Sequence, residues 1–363
     1  MMTFRTGALL LAVAWGSLSL TACVQRKHTP QSRVYYRGPE TAHYKDQRFF
    51  NPDGESGTGG PRNYHASEFV RIATGRTHKP FWPKVPVRQT VPPKRIEGTA
   101  MRVTWIGHAT TLLQTQGLNI LIDPVWAWRD SPVQFAGPRR VRAPGVRLRD
   151  LPPIDLILIS HNHYDHLDMH ALGMLARRDH PMILTGLGND RLIAEHHIQA
   201  QAGDWGASFP VRPGITVTLT RAHHWSARWI DDIDRALWVG FRITMPGGDI
   251  YYAGDTGPGD MRWATEAKAA GTAPIRFALL PIAPYHITGR QTGNHIMPEQ
   301  AVTAFQQLGA AYALGVHWGT FELGTEPIDD PPQRLQSTLV AQNIDPARFR
   351  TLDTGQGWMI PEL

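Results

Sequence analysis

Four apolar runs in this chain each stop on a side chain that can bind metal. LILIS (156–160) runs into His161, VTLT (217–220) into the pair His223–His224, DIYYA (249–253) into Asp255, and AYALGV (311–316) into His317. Branched and aromatic residues in short runs or at period two read as strands, and α/β sheets gather their sites at the carboxyl ends of strands. Any fold for this chain must bring those ends to one edge. The same pattern predicts strands at 101–106, 110–115, 118–122, 154–160, 214–221, 236–244, 249–253, 276–282 and 311–316, with helices near 168–178, 189–197, 259–270 and 298–308. Strands followed by helices, twice over, predict a layered α/β domain with two similar halves.

The densest stretch is SHNHYDHLD (160–168), with three histidines and two aspartates. Side chains alternate along an extended loop, so His161 and His163 can face one ion while Asp165 and His166 turn to a neighbour as a helix begins. Asp168 suits the helix start, where a carboxylate meets the first N–H groups. A lone histidine is usually a core or surface residue; four such ligands at one strand end point to metal. Imidazole and carboxylate suit zinc and similar divalent ions. Asp123, in NILIDP, ends another strand and is expected to hydrogen-bond a ligand histidine from behind, with an Asp-Pro turn as the bland reading. His108, in WIGHAT, is expected in a similar supporting role rather than on metal.

The His-x-His-x-Asp-His motif, the Gly-Asp-Thr turn after 249–253 and the later histidine resemble the metallo-β-lactamase fold superfamily, a four-layer αβ/βα sandwich. Within it, LPPIDLILISHNHYDHLD (151–168), HHWSARWIDDIDRALWVGF (223–241), YYAGDTG (251–257) and GVHWGTF (315–321) resemble the N-acyl phosphatidylethanolamine-hydrolysing phospholipase D family. WIGHATTLLQTQGLNILIDPVW (105–126) and SPVQFAGPRR (131–140) extend a likeness that covers roughly residues 100–340. It implies two zinc ions, one held by His161, His163 and His224, the other by Asp165, His166 and His317, with Asp255 bridging. The Trp225 that follows favours His224 over His223 as the ligand. The resemblance also places His295 near the substrate phosphate and makes a homodimer one plausible assembly.

A net charge of +6 is compatible with an anionic partner. No block of five or six like charges marks a nucleic-acid arm, and no nucleic-acid partner is expected. Arg139, Arg140, Arg142, Arg147 and Arg149 read as a local patch able to meet an anionic head group, with a solvated loop as the default. Trp126, Trp128, Trp225, Trp229 and Tyr285 flank the ligand segments and could line an acyl cleft, although core packing explains any one of them.

The single cysteine, Cys23, closes Leu20-Thr21-Ala22-Cys23 after an apolar stretch from Ala8 to Leu20. Residues 1–22 read as a signal peptide. The tetrad resembles the bacterial lipoprotein cleavage box, which makes Cys23 the lipidation site and the membrane a partner. Val24 rather than Asp after the cysteine favours the outer membrane, facing the periplasm. Residues 23–62 read as a lipidated flexible tether, 63–100 as a Pro-rich segment packing on the body, and 101–363 as the hydrolase domain.

Water bridging two divalent ions is a nucleophile near neutral pH, so hydrolysis follows, with Asp165 as a ligand that orients the attacking water and accepts its proton. The expected activity is a zinc-dependent phosphodiesterase of phospholipase D type acting on a phospholipid. A lactonase, sugar-phosphate hydrolase or nucleotide phosphodiesterase would keep the fold and change the bond. A non-enzymatic envelope lipoprotein is the third reading.

Overall fold

Period-two alternation sorts the N-terminal strands onto two faces. In the computed structural model, which describes residues 33–54, 82–229, 231–287, 290–291 and 293–363, the pattern covers β3 (Met101–Gly107), β4 (Thr110–Thr115), β5 (Leu118–Ile122), β6 (Leu156–Ile159) and β7 (Met182–Gly186). Val103, Trp105, Leu113, Ile120, Ile122, Leu156, Leu158 and Leu184 enter one large core cluster. Leu112, Leu121, Ile157, Ile159 and Ile183 enter a second cluster with Leu172 and Leu175 of α1 (Met169–Asp179) and Leu192 and Ile193 of α2 (Asn189–Ala194). One face of this sheet therefore meets helices, and the other meets a second sheet.

That second sheet comprises β9 (Ser208–Arg212), β10 (Ile215–Thr220), β11 (Gly240–Thr244), β12 (Asp249–Tyr252), β13 (Ile275–Pro281), β16 (Tyr312–Val316) and β17 (Phe349–Arg350). Val217, Phe241, Ile250 and Phe277 share the large core with Trp105 and Leu158 of the first sheet. Trp263 and Ala267 of α3 (Arg262–Ala269), Val302 and Phe305 of α4 (Pro298–Leu308) and Leu335 and Leu339 of α5 (Asp330–Ala341) join the same cluster. The result is two sheets flanked by helices, as the α/β expectation had it.

Among the described residues each sheet has seven strands, in the orders β18-β3-β4-β5-β6-β7-β8 and β17-β16-β13-β12-β11-β10-β9, where β8 is Gln201–Gly203 and β18 is Gly357–Ile360. Each begins as an antiparallel meander and continues as parallel strands. This shared scheme is the physical content of the two similar halves. A further hairpin joins β14 (His286–Ile287) to β15 (Arg290–Gln291).

The tether expectation for 23–62 is corrected where that segment is described. β1 (Tyr44–Lys45) and β2 (Arg48–Phe49) form a hairpin, and Tyr44 and Phe49 join the large core. Aromatic packing supplies the apolar area: the Tyr44 and Phe49 rings lie 4.7 Å apart, and those of Tyr36 and Tyr44 5.0 Å. Residues 82–100 run along the first sheet, with Pro93 O and Lys94 O accepting from the Gln114 and Asn119 amides. The leader 1–22, Cys23 and the rest of the tether and Pro-rich segment (24–32, 55–81) fall outside the described residues. No described helix is long and apolar enough to cross a membrane.

The expected strand 236–244 begins only at Gly240. Ahead of it, Leu237 N donates to Leu187 O and Val239 N to Ser160 O, so those buried residues bond to loops of the first sheet in place of a ladder. Helix 189–197 stops at Ala194.

Candidate metal centre

The strand ends converge on one edge. His161, His163, Asp165 and His166 leave β6, His224 follows β10, Asp255 follows β12 and His317 follows β16. Asp123 ends β5, His108 turns the chain between β3 and β4, and His295 precedes α4. Their ligand atoms fall into overlapping sets, each within 4.8 Å: His161, His163 and His224; His108, Asp165, His166 and His317; His161, His166 and Asp255; and His224, Asp255 and His295.

Within these sets the ring nitrogens crowd one another. His161 Nε2 lies 2.8 Å from His163 Nδ1, which lies 3.4 Å from His224 Nε2, and His166 Nε2 lies 3.0 Å from His317 Nε2. Nitrogens about 2.0–2.1 Å from a tetrahedral ion sit roughly 3.3 Å apart, so the spacing suits a shared ion. Asp255 Oδ2 stands between the two groups, 2.9 Å from His317 Nε2, 3.1 Å from His166 Nε2, 3.8 Å from His224 Nε2 and 4.0 Å from His161 Nε2. Asp255 Oδ1 is buried with no hydrogen-bond partner, an arrangement that costs energy without a cation. By donor chemistry and geometry, the residues present fit divalent metal.

The outer nitrogens explain how four rings are aimed. His224 Nδ1 faces Asn294 O at 2.9 Å, His317 Nδ1 faces Ala283 O at 2.7 Å, His166 Nδ1 faces Asp123 Oδ2 at 2.7 Å, and His161 Nδ1 faces Ser160 Oγ at 3.0 Å. An acceptor on the outer nitrogen places the proton there and leaves the inner lone pair for a cation. Asp123 is itself held by Ser160 N at 2.8 Å, Ser160 Oγ at 2.6 Å and Tyr252 OH at 2.5 Å. It stands behind His166.

His108 lies inside the cluster, its Nε2 2.8 Å from Asp165 Oδ2. Burial, with the nearby His317, pushes His108 down to about 3, so a neutral ring donates to the carboxylate. His295 Nδ1 comes within 3.7 Å of Asp255 Oδ2. The adjacent histidines separate: His224 faces the cluster, whereas His223 turns away to Asp53, with Nδ1 3.0 and 3.1 Å from its two oxygens. Asp168 is an N-cap, accepting from His170 N and Ala171 N, and it ties Trp126 N and Ala127 N with its other oxygen.

The arginine patch is divided: Arg147 and Arg149 are exposed and Arg139 half-exposed, whereas the other two turn inward. Arg140 and Arg142 are buried, the first bonded to Ala127 O and Val125 O, the second over the Trp318 ring. Arg147 is paired with Asp150. Of the flanking aromatics, Tyr285 is buried, while Trp128 and Trp229 are 59% and 46% exposed. Ser160, Tyr252, Asn294 and the Ala283 carbonyl were not anticipated, and a backbone acceptor leaves no mark in a sequence.

A four-layer α/β fold with imidazoles and carboxylates converging at the strand ends defines the metallo-β-lactamase class of metal-dependent hydrolases. The family profile described as "Beta-lactamase superfamily domain" matches residues 118–318, and the chain belongs to this superfamily, among the relatives of N-acyl-phosphatidylethanolamine-hydrolysing phospholipase D. It is 34% identical over 268 residues to N-acyl-phosphatidylethanolamine-hydrolyzing phospholipase D 1 of Caenorhabditis elegans, covering 70% of this chain and 74% of that one. The mitochondrial enzyme of the same description from Saccharomyces cerevisiae is 30% identical over 239 residues, 64% of this chain and 50% of its own length. Among solved structures, a metallo hydrolase from Ignicoccus hospitalis matches with a TM-score of 0.53 and 24% identity, over 72% of this chain and 99% of that one. This last likeness is one of fold.

Proposed function

We propose that the chain is a dinuclear zinc phosphodiesterase of phospholipase D type, hydrolysing a phospholipid such as N-acyl phosphatidylethanolamine. The observation that carries this reading is the single Asp255 oxygen poised between two histidine sets, together with relatives that bear that activity in their names. His161, His163 and His224 would hold one ion and Asp165, His166 and His317 the other, with Asp255 shared between them. Bound at such a centre, two divalent ions supply Lewis acidity and lower the pKa of water toward roughly 7.

The chain's own residues do the rest. His166, followed by His108 and His317 at 2.8 and 3.3 Å from its Oδ2, holds the Asp165 carboxyl well below the usual range despite burial, where it orients water and accepts its proton. His295 is only partly buried beside Asp255, a position suited to a phosphate oxygen. The lipoprotein-type box ending at Cys23 supports attachment to the bacterial envelope, at the outer membrane, where a lipid substrate resides.

The test is a phospholipid-class screen on metal-analysed protein, followed as release of phosphatidic acid from N-acyl phosphatidylethanolamine and from unacylated phospholipids. Zinc-dependent release is expected. Turnover of lactones or nucleotide diesters with no phospholipid cleavage would replace this substrate class with another on the same fold.

A further inference from the structure

Residues 34–54 lie outside the segment matched by the family profile, yet Asn51 among them reaches the backbone of His224. We propose that Asn51 is a positioning residue for the His161–His163–His224 side of the centre, and that the N-terminal segment is thereby a working part of the metal site. The proposal rests on His224 being a ligand.

His224 sits in a stretch with neither helix nor strand, so no ladder fixes its peptide groups. Asn51 does so instead. Its Nδ2 donates to His224 O at 2.8 Å, and its Oδ1 accepts from His224 N at 3.2 Å. Trp238 Nε1 also donates to that Oδ1, at 3.2 Å, which fixes which way round the amide lies. Only a side-chain amide offers a donor and an acceptor side by side in this way; a carboxylate could take the N–H but would oppose the carbonyl. Asn51 is 3% exposed, so these bonds are shielded from water.

A second attachment holds the segment in place. Asp53 pairs with His223 and accepts from Asp260 N at 2.9 Å. Gly259, at φ +48°, makes room for it: a Cβ there would lie 2.2 Å from Asp53 Oδ2 and 2.5 Å from His223 Nδ1. The two histidines thus face opposite ways, one toward the cluster and one toward the segment that steadies it. Ligand geometry tolerates errors of only about 0.5 Å, so the His224 backbone clamp bears directly on metal retention.

The experiment measures zinc stoichiometry and zinc affinity, by chelator competition on the full chain, for wild type, N51D, D53N and H224A. Circular dichroism and melting of the metal-free protein report folding. N51D is expected to stay folded and to lose affinity for one zinc by about 10–100-fold, leaving the other unchanged. D53N, which loosens the segment from the far side, is expected to shift the same zinc by roughly threefold, and it carries the test if N51D does not fold. Wild-type affinity for both ions in the folded variant overturns the proposal. H224A separates the two levels: if it loses one zinc while folded N51D keeps both, only the clamp is wrong, and if it keeps both, the ligand assignment is wrong and the clamp falls with it.

Discussion

His163 and His317 stand at the same edge of the molecule, yet in the metal-free protein burial pushes His163 down to about 3, whereas His317 is held up to about 9. Their sets follow them. Burial lowers His161 and His224, the latter to about 3, against the weaker pull of Asp255. For His166 and His317 burial acts in the same downward sense, but the charge of Asp255 and contacts with Asp165 outweigh it, and for His166 Asp123 adds to them. Identical side chains therefore await a cation in different states. One set offers three neutral imidazoles; the other holds protons that carboxylates have gathered.

Asp255→Asn should break this contrast most completely. The Asp255 carboxylate, kept well below the usual range by His166 and His317 despite its burial, touches both sets through one oxygen. Losing its charge should weaken both ions and lower hydrolysis by at least about 100-fold, the upper end for an outer-shell partner. It should also let His166 and His317 titrate lower in the metal-free protein, by NMR. One ion retained at wild-type affinity would show that the oxygen serves a single set.

The contrast predicts a pH dependence of definite sign. Filling the His166–His317 set must displace protons, so its apparent metal affinity should rise with pH toward about 9, roughly tenfold per unit for each proton released. The other set, already neutral, should be flat from pH 6 to 8. Calorimetry in two buffers of different ionisation enthalpy reads the protons directly, and equal release from both sets would remove the distinction. Stability of the metal-free protein runs the opposite way. His317, raised above its unfolded value, contributes stability that is fully present below about 6.5 and is lost as pH rises through about 9, whereas Asp255, depressed, contributes stability above about 3.8 that is lost on acidification.

How far the sequence spoke for itself differs between the sets and the framework that aims them. His161, His163, Asp165 and His166 share one short segment, and each remaining candidate follows an apolar run, so strand ends and spacing brought the ligand segments into view, while the choice of His224 over His223 came from the family resemblance. Asp123 was readable because it too ends a strand. Several elements went unread, β7, β8, β17 and β18 among them, and two more had reasons of their own: β9 alternates at an exposed edge with Pro210 inside it, and α5 opens on Asp-Pro-Pro, which conceals a helix behind residues that suit only its first turn. Asn51 was hidden differently. It heads a Gly-rich stretch whose composition reads as linker, and its role depends on a contact with His224, 173 positions away, for which a single sequence carries no signal.

The smallest effect expected is that of Tyr252→Phe, and it tests whether the sets are also supported unequally. Asp123 Oδ2 receives Tyr252 OH, Ser160 Oγ and His166 Nδ1 together. Burial, reinforced by Asp123, raises the phenol well above its ordinary pKa, so it is a hydroxyl donor throughout the working range. Its removal deletes a hydrogen bond to a buried carboxylate, worth about 1.5–3 kcal/mol of stability, without touching any imidazole. Asp123 supports His166 directly but reaches His161 only through the Ser160 hydroxyl. The affinity change, a few-fold at most, should therefore fall on the ion of the His166–His317 set. A larger loss from the His161 set would place the Ser160 relay, rather than the direct carboxylate contact, at the centre of how Asp123 holds the site together.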